Sequence, residues 1–248
     1  KDHREFTRLK RNFALLDQFD QQYFLYQRLN RFNEIADIEL VMGQPTAGRW
    51  YRATQLVKWL NKVAEEALDV DALIAGDDPA IVALGHATAL YREMLVEQNS
   101  LDFSGIQFEA LRLLEQSPTV LEGLRERLTH MMVDEYQDTN AIQERLLFML
   151  AGEEQNLCVV GDDDQGLYRF RGATIRNILG YPANFPAGKC KQERLTINYR
   201  STPGIIDFYN RWIAEEDWRD GAKHLRFEKT IVPREAVFPD TPSVLKLT

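Results

Sequence analysis

The sequence is poor in the residues that build covalent staples and metal cages. Its two cysteines, Cys158 and Cys190, have neither the numbers nor the spacing of a disulfide framework or a zinc site. Cys158 lies in an apolar run and is expected to be buried, which suits a reducing, cytoplasmic setting. The four histidines (His3, His86, His130 and His224) are scattered, which argues against a metal held by histidine and cysteine. No apolar stretch reaches the roughly 20 residues that span a bilayer. The opening KDHREFTRLKR lacks a signal peptide's apolar core, so no membrane contact is expected. An excess of positive charge is missing too: the formal net charge is −8. No whole-molecule field draws this chain to nucleic acid, and any such binding needs a local groove. What is present is a core: 44% of the 248 residues are hydrophobic, enough for one or two domains. Internal repeats and low-complexity segments are lacking.

The first half reads helical. Leu56, Val57, Leu60, Val63, Ala64, Ala67 and Leu68 fall on one stripe of a helix. Phe19, Tyr23, Tyr26 and Leu29 form a similar stripe earlier, and Ile81, Leu84, Leu90, Met94 and Leu95 do so later. The stretches GQPTAGR (43–49) and AGDDP (75–79) break these helices, and Pro118 can open a further one. Taken alone, this half is a helical bundle without chemistry of its own.

The second half changes rhythm. HMMVD, NLCVVGD and RLTINYR are short apolar runs that end in polar residues. Between the first two, Ile142, Leu146, Met149 and Leu150 recur at helical spacing. Asn140 can cap that helix, Gln143 can reach back to the cap, and Gly152 can end it. Strand, helix and strand with near-continuous apolar strands is the pattern of a parallel sheet covered on both faces. Ligands collect at the carboxyl ends of such strands, where Asp134-Glu135 and Asp162 fall. The tail from Ile231 ends in SVLKLT, a possible further strand.

At a strand end, Asp134 could hold a magnesium ion and Glu135 could orient a water for attack on phosphorus. Two adjacent carboxylates alone more often just begin a surface loop. Three further stretches change that balance: GDDDQGLYRFRGA (161–173), LTINYRS (195–201) and LDFSGIQFEAL (101–111). With VDEYQDTN (133–140) and the early LLDQFDQQ (15–22), in this order, they resemble the UvrD/Rep family of superfamily 1 DNA helicases. The likeness runs over most of the chain.

The resemblance implies an α/β fold: part of a RecA-like parallel-sheet motor core carrying an α-helical insertion. Residues 1–127 would be the insertion, 128–193 the second part of the first motor lobe, and 194–248 the start of the second. It also implies ATP and Mg2+ as cofactors, and single-stranded DNA and single-strand/duplex junctions as partners. Asp134 and Glu135 would hold the metal, with Glu135 as general base. Gln137 would couple the nucleotide site to DNA. Gln165 would sense the γ-phosphate or the attacking water, Tyr199 would stack on adenine, and Arg200 would act as an arginine finger. Tyr168, Phe170 and Arg171 would lie along single-stranded DNA, although a buried ion pair is as good a reading of Arg171. Gly166 stands where the family usually has serine, and Phe170 where tryptophan is common. Of the triple acid Asp162-Asp163-Asp164, Asp162 is expected to organise the phosphate end and the other two to be solvated. The triplet lacks the spaced ligands of a calcium loop.

A phosphate loop, G-x-x-x-x-G-K-[ST], is missing. Gly43 to Gly48 is followed by Arg49-Trp50, not Lys-Ser. The chain thus reads as a central slice of a helicase that translocates 3′ to 5′, and by itself it is expected to bind ATP weakly. Two other readings stay open: a non-catalytic DNA- or protein-binding module derived from a helicase, and the motor of a helicase–nuclease of the RecB/AddA type.

Overall fold

In a computed structural model, the described residues are 6–153, 155–165, 175–215, 219–220, 223–224 and 226–234. They fall into two compact units. One runs up to Gly161 and takes in residues 175–177; the other joins Asp162–Gln165 to the described residues from Ile178 onward.

The first unit is mostly helical. Strand β1 (Ala14–Leu16) leads into helix α1 (Gln18–Arg28), then α2 (Glu39–Met42), α3 (Arg49–Glu65), α4 (Val70–Ile74) and α5 (Pro79–Glu97). Their core is a single apolar cluster that includes Phe24, Leu25, Phe32, Met42, Leu56, Leu60, Val63, Ala87 and Met94. Side-chain caps start several of these helices where the sequence offers them. Asp17 accepts from the Asp20 amide, and Asp78, just before Pro79, accepts from the amides of Ala80 and Ile81.

The stripe on α3 is buried as expected at Leu56, Val57, Leu60 and Val63. It stops short of Ala67 and Leu68, however. Ala67 adopts the left-handed conformation (φ 49°), Leu68 N–H returns to the Val63 carbonyl at 3.0 Å, and the Leu68 side chain is exposed. That is a Schellman ending, with alanine where glycine is usual. The stripe on α1 needs a larger correction. Its buried face carries Gln21, Phe24 and Leu25; of the expected stripe Leu29 is buried and Tyr26 packs partly against the core, while Phe19 and Tyr23 are 63% and 46% exposed. Gln21 turns the helix this way. Its amide donates to Asn61 Oδ1 (2.7 Å), Asp102 Oδ2 (2.8 Å) and Tyr91 Oη (3.1 Å), and Tyr91 also donates to Asp102 at 2.5 Å. Burial, together with the neighbouring Asp102, pushes the Tyr91 hydroxyl well up, so it stays a donor.

A parallel pair joins β1 to β2 (Ser100–Asp102), an element that the helical reading of this half did not contain. Asp102 then caps α6 (Phe103–Gln116) by accepting from the Gly105 amide. Helix α7 (Pro118–Arg125) opens on its proline and precedes β3 (Met131–Val133). Helix α8 (Ala141–Ala151) has the expected reciprocal Asn140–Gln143 capping box and ends at Gly152, with φ 63°. Strand β4 (Leu157–Val159) pairs in parallel with β3, with Val133 opposite Val159.

The expectation of a sheet covered on both faces is not met among the described residues. Met132 and Cys158 face each other in register, and both are exposed, Met132 at 79%. Cys158 is therefore not a core residue. Neighbouring side chains alternate faces, so only Met131, Val133, Leu157 and Val159 turn inward in this two-stranded sheet. Helix α9 (Ile175–Gly180) spans the change from the first unit to the second.

The second unit holds β5 (Ile197–Asn198), α10 (Pro203–Ala214), an antiparallel pair of β6 (Arg219–Asp220) and β7 (Lys223–His224), and β8 (Val232–Pro233). Strand β8 runs parallel to β5. Of the apolar run ahead of Tyr199, Leu195 and Ile197 are 89% and 50% exposed, so it is not a buried strand here. The segment SVLKLT lies outside the described residues.

Candidate functional site

The two carboxylates occupy the carboxyl edge of β3. Glu135 takes a left-handed backbone conformation (φ 51°, ψ 42°), uncommon for a residue with a side chain. The sharp turn lets Tyr136 N–H reach the Val160 carbonyl at 3.0 Å, while Val160 N–H bonds the Val133 carbonyl at 2.8 Å. Tyr136 is fully buried and donates to Glu144 at 2.7 Å, which anchors the turn to α8. The backbone cost is on the order of 1–3 kcal/mol, and its result is visible: Asp134 and Glu135 stay exposed while Tyr136 and Gln137 are buried.

Gln137 acts on the pair directly, its amide donating to Glu135 Oε2 at 2.5 Å. Asp134 Oδ1 accepts the Glu135 amide at 2.9 Å. Each carboxylate keeps a second oxygen with no hydrogen-bond partner among the described residues. Behind the turn, Asn177 donates to both Thr139 oxygens at 3.2 Å and to the Asn140 carbonyl at 3.3 Å, which fixes the start of α8.

In the second unit, Gln165 closes a short turn, Asp163–Gln165, and its side chain donates to Asp162 Oδ2 at 2.9 Å. The triple acid is not solvated as expected. The Asp163 and Asp164 side chains are only 3% and 6% exposed. Lys229 Nζ sits among all three carboxylates, at 2.5 Å from Asp162 Oδ1, 3.1 Å from Asp164 Oδ2, and in a very short contact with Asp163. Arg226 grips Asp164 with two nitrogens, at 2.7 and 3.0 Å, and the Tyr209 hydroxyl donates to the same carboxylate. The Phe227 amide donates to Asp163 Oδ2 at 2.7 Å.

Burial pushes the Asp162 and Asp164 carboxyls up, but the bonds from Lys229, Gln165, Arg226 and Tyr209 outweigh it and leave both below the usual carboxylate range. The same contacts hold Lys229 and Arg226 more firmly protonated and, with burial leading, push Tyr209 up to about 12. The three acids come within 4.8 Å of one another, as a cation site would require, but an ammonium of the chain itself already fills that place. The calcium reading fails here on geometry as well as on sequence.

Tyr199 and Arg200 are both exposed, Tyr199 at 71%, with the Arg234 guanidinium 5.8 Å from its ring centre. Asn198 accepts from the amides of Arg200 (2.9 Å) and Ser201 (2.8 Å), a tight turn that leaves the Arg200 side chain projecting. Tyr168, Phe170 and Arg171 lie outside the described residues. Within the first unit the structure groups Asp134, Glu135 and Gln137, and within the second it ties Gln165 to Asp162. Sequence reasoning missed Lys229, Arg226 and Tyr209. Nothing near them in the chain marks them, since Lys229 is 67 residues from Asp162.

Exposed carboxylates at the carboxyl end of a parallel strand stand where ligands bind in sheets of this kind, in a mixed α/β chain. The family follows from comparison with known proteins. The chain belongs to the UvrD/REP helicase family: the family's model for the UvrD/REP helicase N-terminal domain matches residues 1–186. Similar proteins include DNA helicase II of Escherichia coli (strain K12) and of Salmonella typhimurium (strain LT2), each 30% identical over 221 residues. That alignment covers 89% of this chain and 29% of either relative. ATP-dependent DNA helicase PcrA of Staphylococcus aureus is 33% identical over 211 residues, 85% of this chain and 27% of the relative. The chain thus spans under a third of the length of these relatives. No helix among its described residues is long and apolar enough to cross a membrane.

The donor set at β3 suits magnesium. Two hard, exposed carboxylates each retain an oxygen, and this ion is commonly held by one or two carboxylates with water and substrate phosphates completing its shell.

Proposed function

We propose that this chain is part of the motor of an ATP-dependent DNA helicase that moves 3′ to 5′ on single-stranded DNA and opens duplex at single-strand/duplex junctions. In this reading residues 1–127 are the helical insertion, 128–193 belong to the first motor lobe and 194–248 open the second. The observation that carries it is the left-handed Glu135. The chain accepts an unfavourable backbone to keep two carboxylates exposed at a strand end, with Gln137 holding one of them.

Asp134, with Glu135 beside it, would hold magnesium, which when bound would neutralise phosphate charge during transfer to water. Glu135 accepts the proton of the attacking water through its oxygen that is not bonded to Gln137. Gln137, bonded to that carboxylate, relays its position to the DNA side. Gln165 bonds the γ-phosphate or the water, and its tie to Asp162 sets its reach. Tyr199 offers an exposed ring to adenine, and Arg200 brings its exposed guanidinium to the phosphoryl oxygens. Tyr168, Phe170 and Arg171 take bases and phosphates of the single strand.

The test is single-strand-stimulated phosphate release by the protein that carries this chain. Glu135→Gln should lower the turnover rate by about 10²–10⁴-fold while leaving nucleotide binding intact. Undiminished turnover in that variant would refute the assignment.

A further inference from the structure

The outward turn of α1 creates a surface that the motor reading does not use. Phe19 and Tyr23 face water along one side of the helix, and Tyr26, packed partly against the core, follows them. Phe19 and Tyr23 have ring centres 6.2 Å apart with planes within 7°, and Tyr23 and Tyr26 are 6.2 Å apart with planes within 13°. Trp50, at the start of α3, leans against both ends of this row, 5.8 Å from Phe19 and 5.6 Å from Tyr26, and remains 42% exposed. Contiguous water-facing apolar groups rimmed by polar residues mark interaction sites.

Two features say what kind of partner fits. The first is charge. In a chain of net charge −8, α1 and α3 together carry five Lys or Arg and two Asp or Glu, although Arg52 is buried and Lys62 pairs with Glu66. Arg49, beside the Tyr26 ring at 5.3 Å, and the exposed Lys58 have no carboxylate partner among the described residues. The second is the neighbourhood. The side chains around the rings are Gln18, Gln27 and Thr54, which face water, and Gln22 and Gln55, which are half-buried; Asp20 is the one exposed acid of α1. Parallel ring faces, hydrogen-bonding amides and unneutralised cations are the combination that receives stacked bases and a phosphate backbone.

We infer that the α1–α3 face is an accessory binding site for single-stranded nucleic acid, with bases stacking on Phe19, Tyr23 and Trp50 and phosphates drawn to Arg49 and Lys58. The inference rests on the proposed function for the identity of its partner, but uses none of the motor residues.

The experiment measures binding of a labelled oligothymidylate of about 16 nucleotides to the 248-residue chain by fluorescence anisotropy. The double variant Tyr23→Ala/Trp50→Ala should bind at least about 25-fold more weakly, roughly fivefold for each lost stack. Its affinity for an abasic oligomer of the same length should not change. Phe103→Ala, which removes a 58% exposed ring elsewhere, should bind as the parent does. Photo-crosslinking of the unaltered chain to an iodouracil-substituted oligomer should label peptides of α1 or α3, a readout that does not depend on any variant folding. Affinity of the double variant within about twofold of the parent, or crosslinks confined to other peptides, would overturn this site and leave the motor reading standing. Failure of the chain to bind any oligomer would overturn the inference and remove its partner. Loss of turnover in Glu135→Gln tests the motor separately, so the two failures are distinguishable.

Discussion

Lys229 offers the sharpest test of how the second unit holds together. Its ammonium, 13% exposed, is the shared counter-charge of three carboxylates, two of them buried. Replacing it in Lys229→Met keeps most of the side chain's bulk and deletes the charge. Arg226 still serves Asp164, but Asp163 keeps only the Phe227 amide as a partner among the described residues. Leaving a buried charge uncompensated costs about 3–5 kcal/mol, a large part of the stability of a small folded unit.

The loss should also depend on pH. In the unaltered chain Asp162 and Asp164 are held below the usual range, so their contribution is present above the ordinary value of about 3.9 and is lost as pH falls through the folded value. In the variant the carboxylates repel one another and take up protons more readily. The gap between the two proteins should therefore narrow as pH falls from about 7 towards about 4. Hydrogen exchange of the Phe227 amide and of α10 reads this unit alone. A loss under about 1 kcal/mol at neutral pH, or a loss that does not change with pH, would refute the reasoning. Adding Asp163→Asn to the variant should restore at least about 1 kcal/mol, because it removes the charge left without its cation.

Three other expectations concern the first unit. Glu65 is half-buried, and burial pushes its carboxyl up to about 7 despite Lys62 and a hydrogen bond from Ser104. The folded chain then holds a proton that the unfolded chain has released, so stability falls as pH rises from about 4.5 to 7. Glu65→Gln should raise the melting temperature at about pH 8 and change it little at about pH 5, as thermal unfolding would record. Ala67→Gly should stabilise the chain by about 1 kcal/mol in urea denaturation, since it relieves a left-handed alanine in the Schellman ending. Gly85→Ala should destabilise by about 1–3 kcal/mol in the same assay. Its Cβ would stand 2.8 Å from Ile74 Cγ1 and 3.0 Å from the Ile74 nitrogen, where α4 and α5 meet.

Much of the molecule was legible from local patterns. The start of α8 follows from Asn140 and Gln143, the start of α5 from Asp78 and Pro79, and the stretches 43–48 and 75–78 do separate helices. The strands before Asp134 and Gly161 are parallel partners, as their shared apolar character suggested. The exceptions are equally specific. Phe19 and Tyr23 read as core because apolar spacing says which residues share a face, not which face is buried. Gln21, with three partners on α3, α5 and the end of β2, decided that. Cys158 and Met132 read as core because a continuous apolar run carries no mark of the face left exposed.

The sequence by itself determined what depends on neighbours a few residues apart: caps, helix breaks, the order of the motifs and the family to which they belong. Tertiary structure alone decided the rest. It set the left-handed turn that presents Glu135, the rotation of α1 that turns its rings to water, and the arrival of Lys229 among three aspartates over 60 residues earlier in the chain. The physical reason is range. A helical or turn preference is settled by side chains within about four positions. An ion pair or a buried face is settled by whichever groups folding brings together, and their separation along the chain leaves no trace in local pattern.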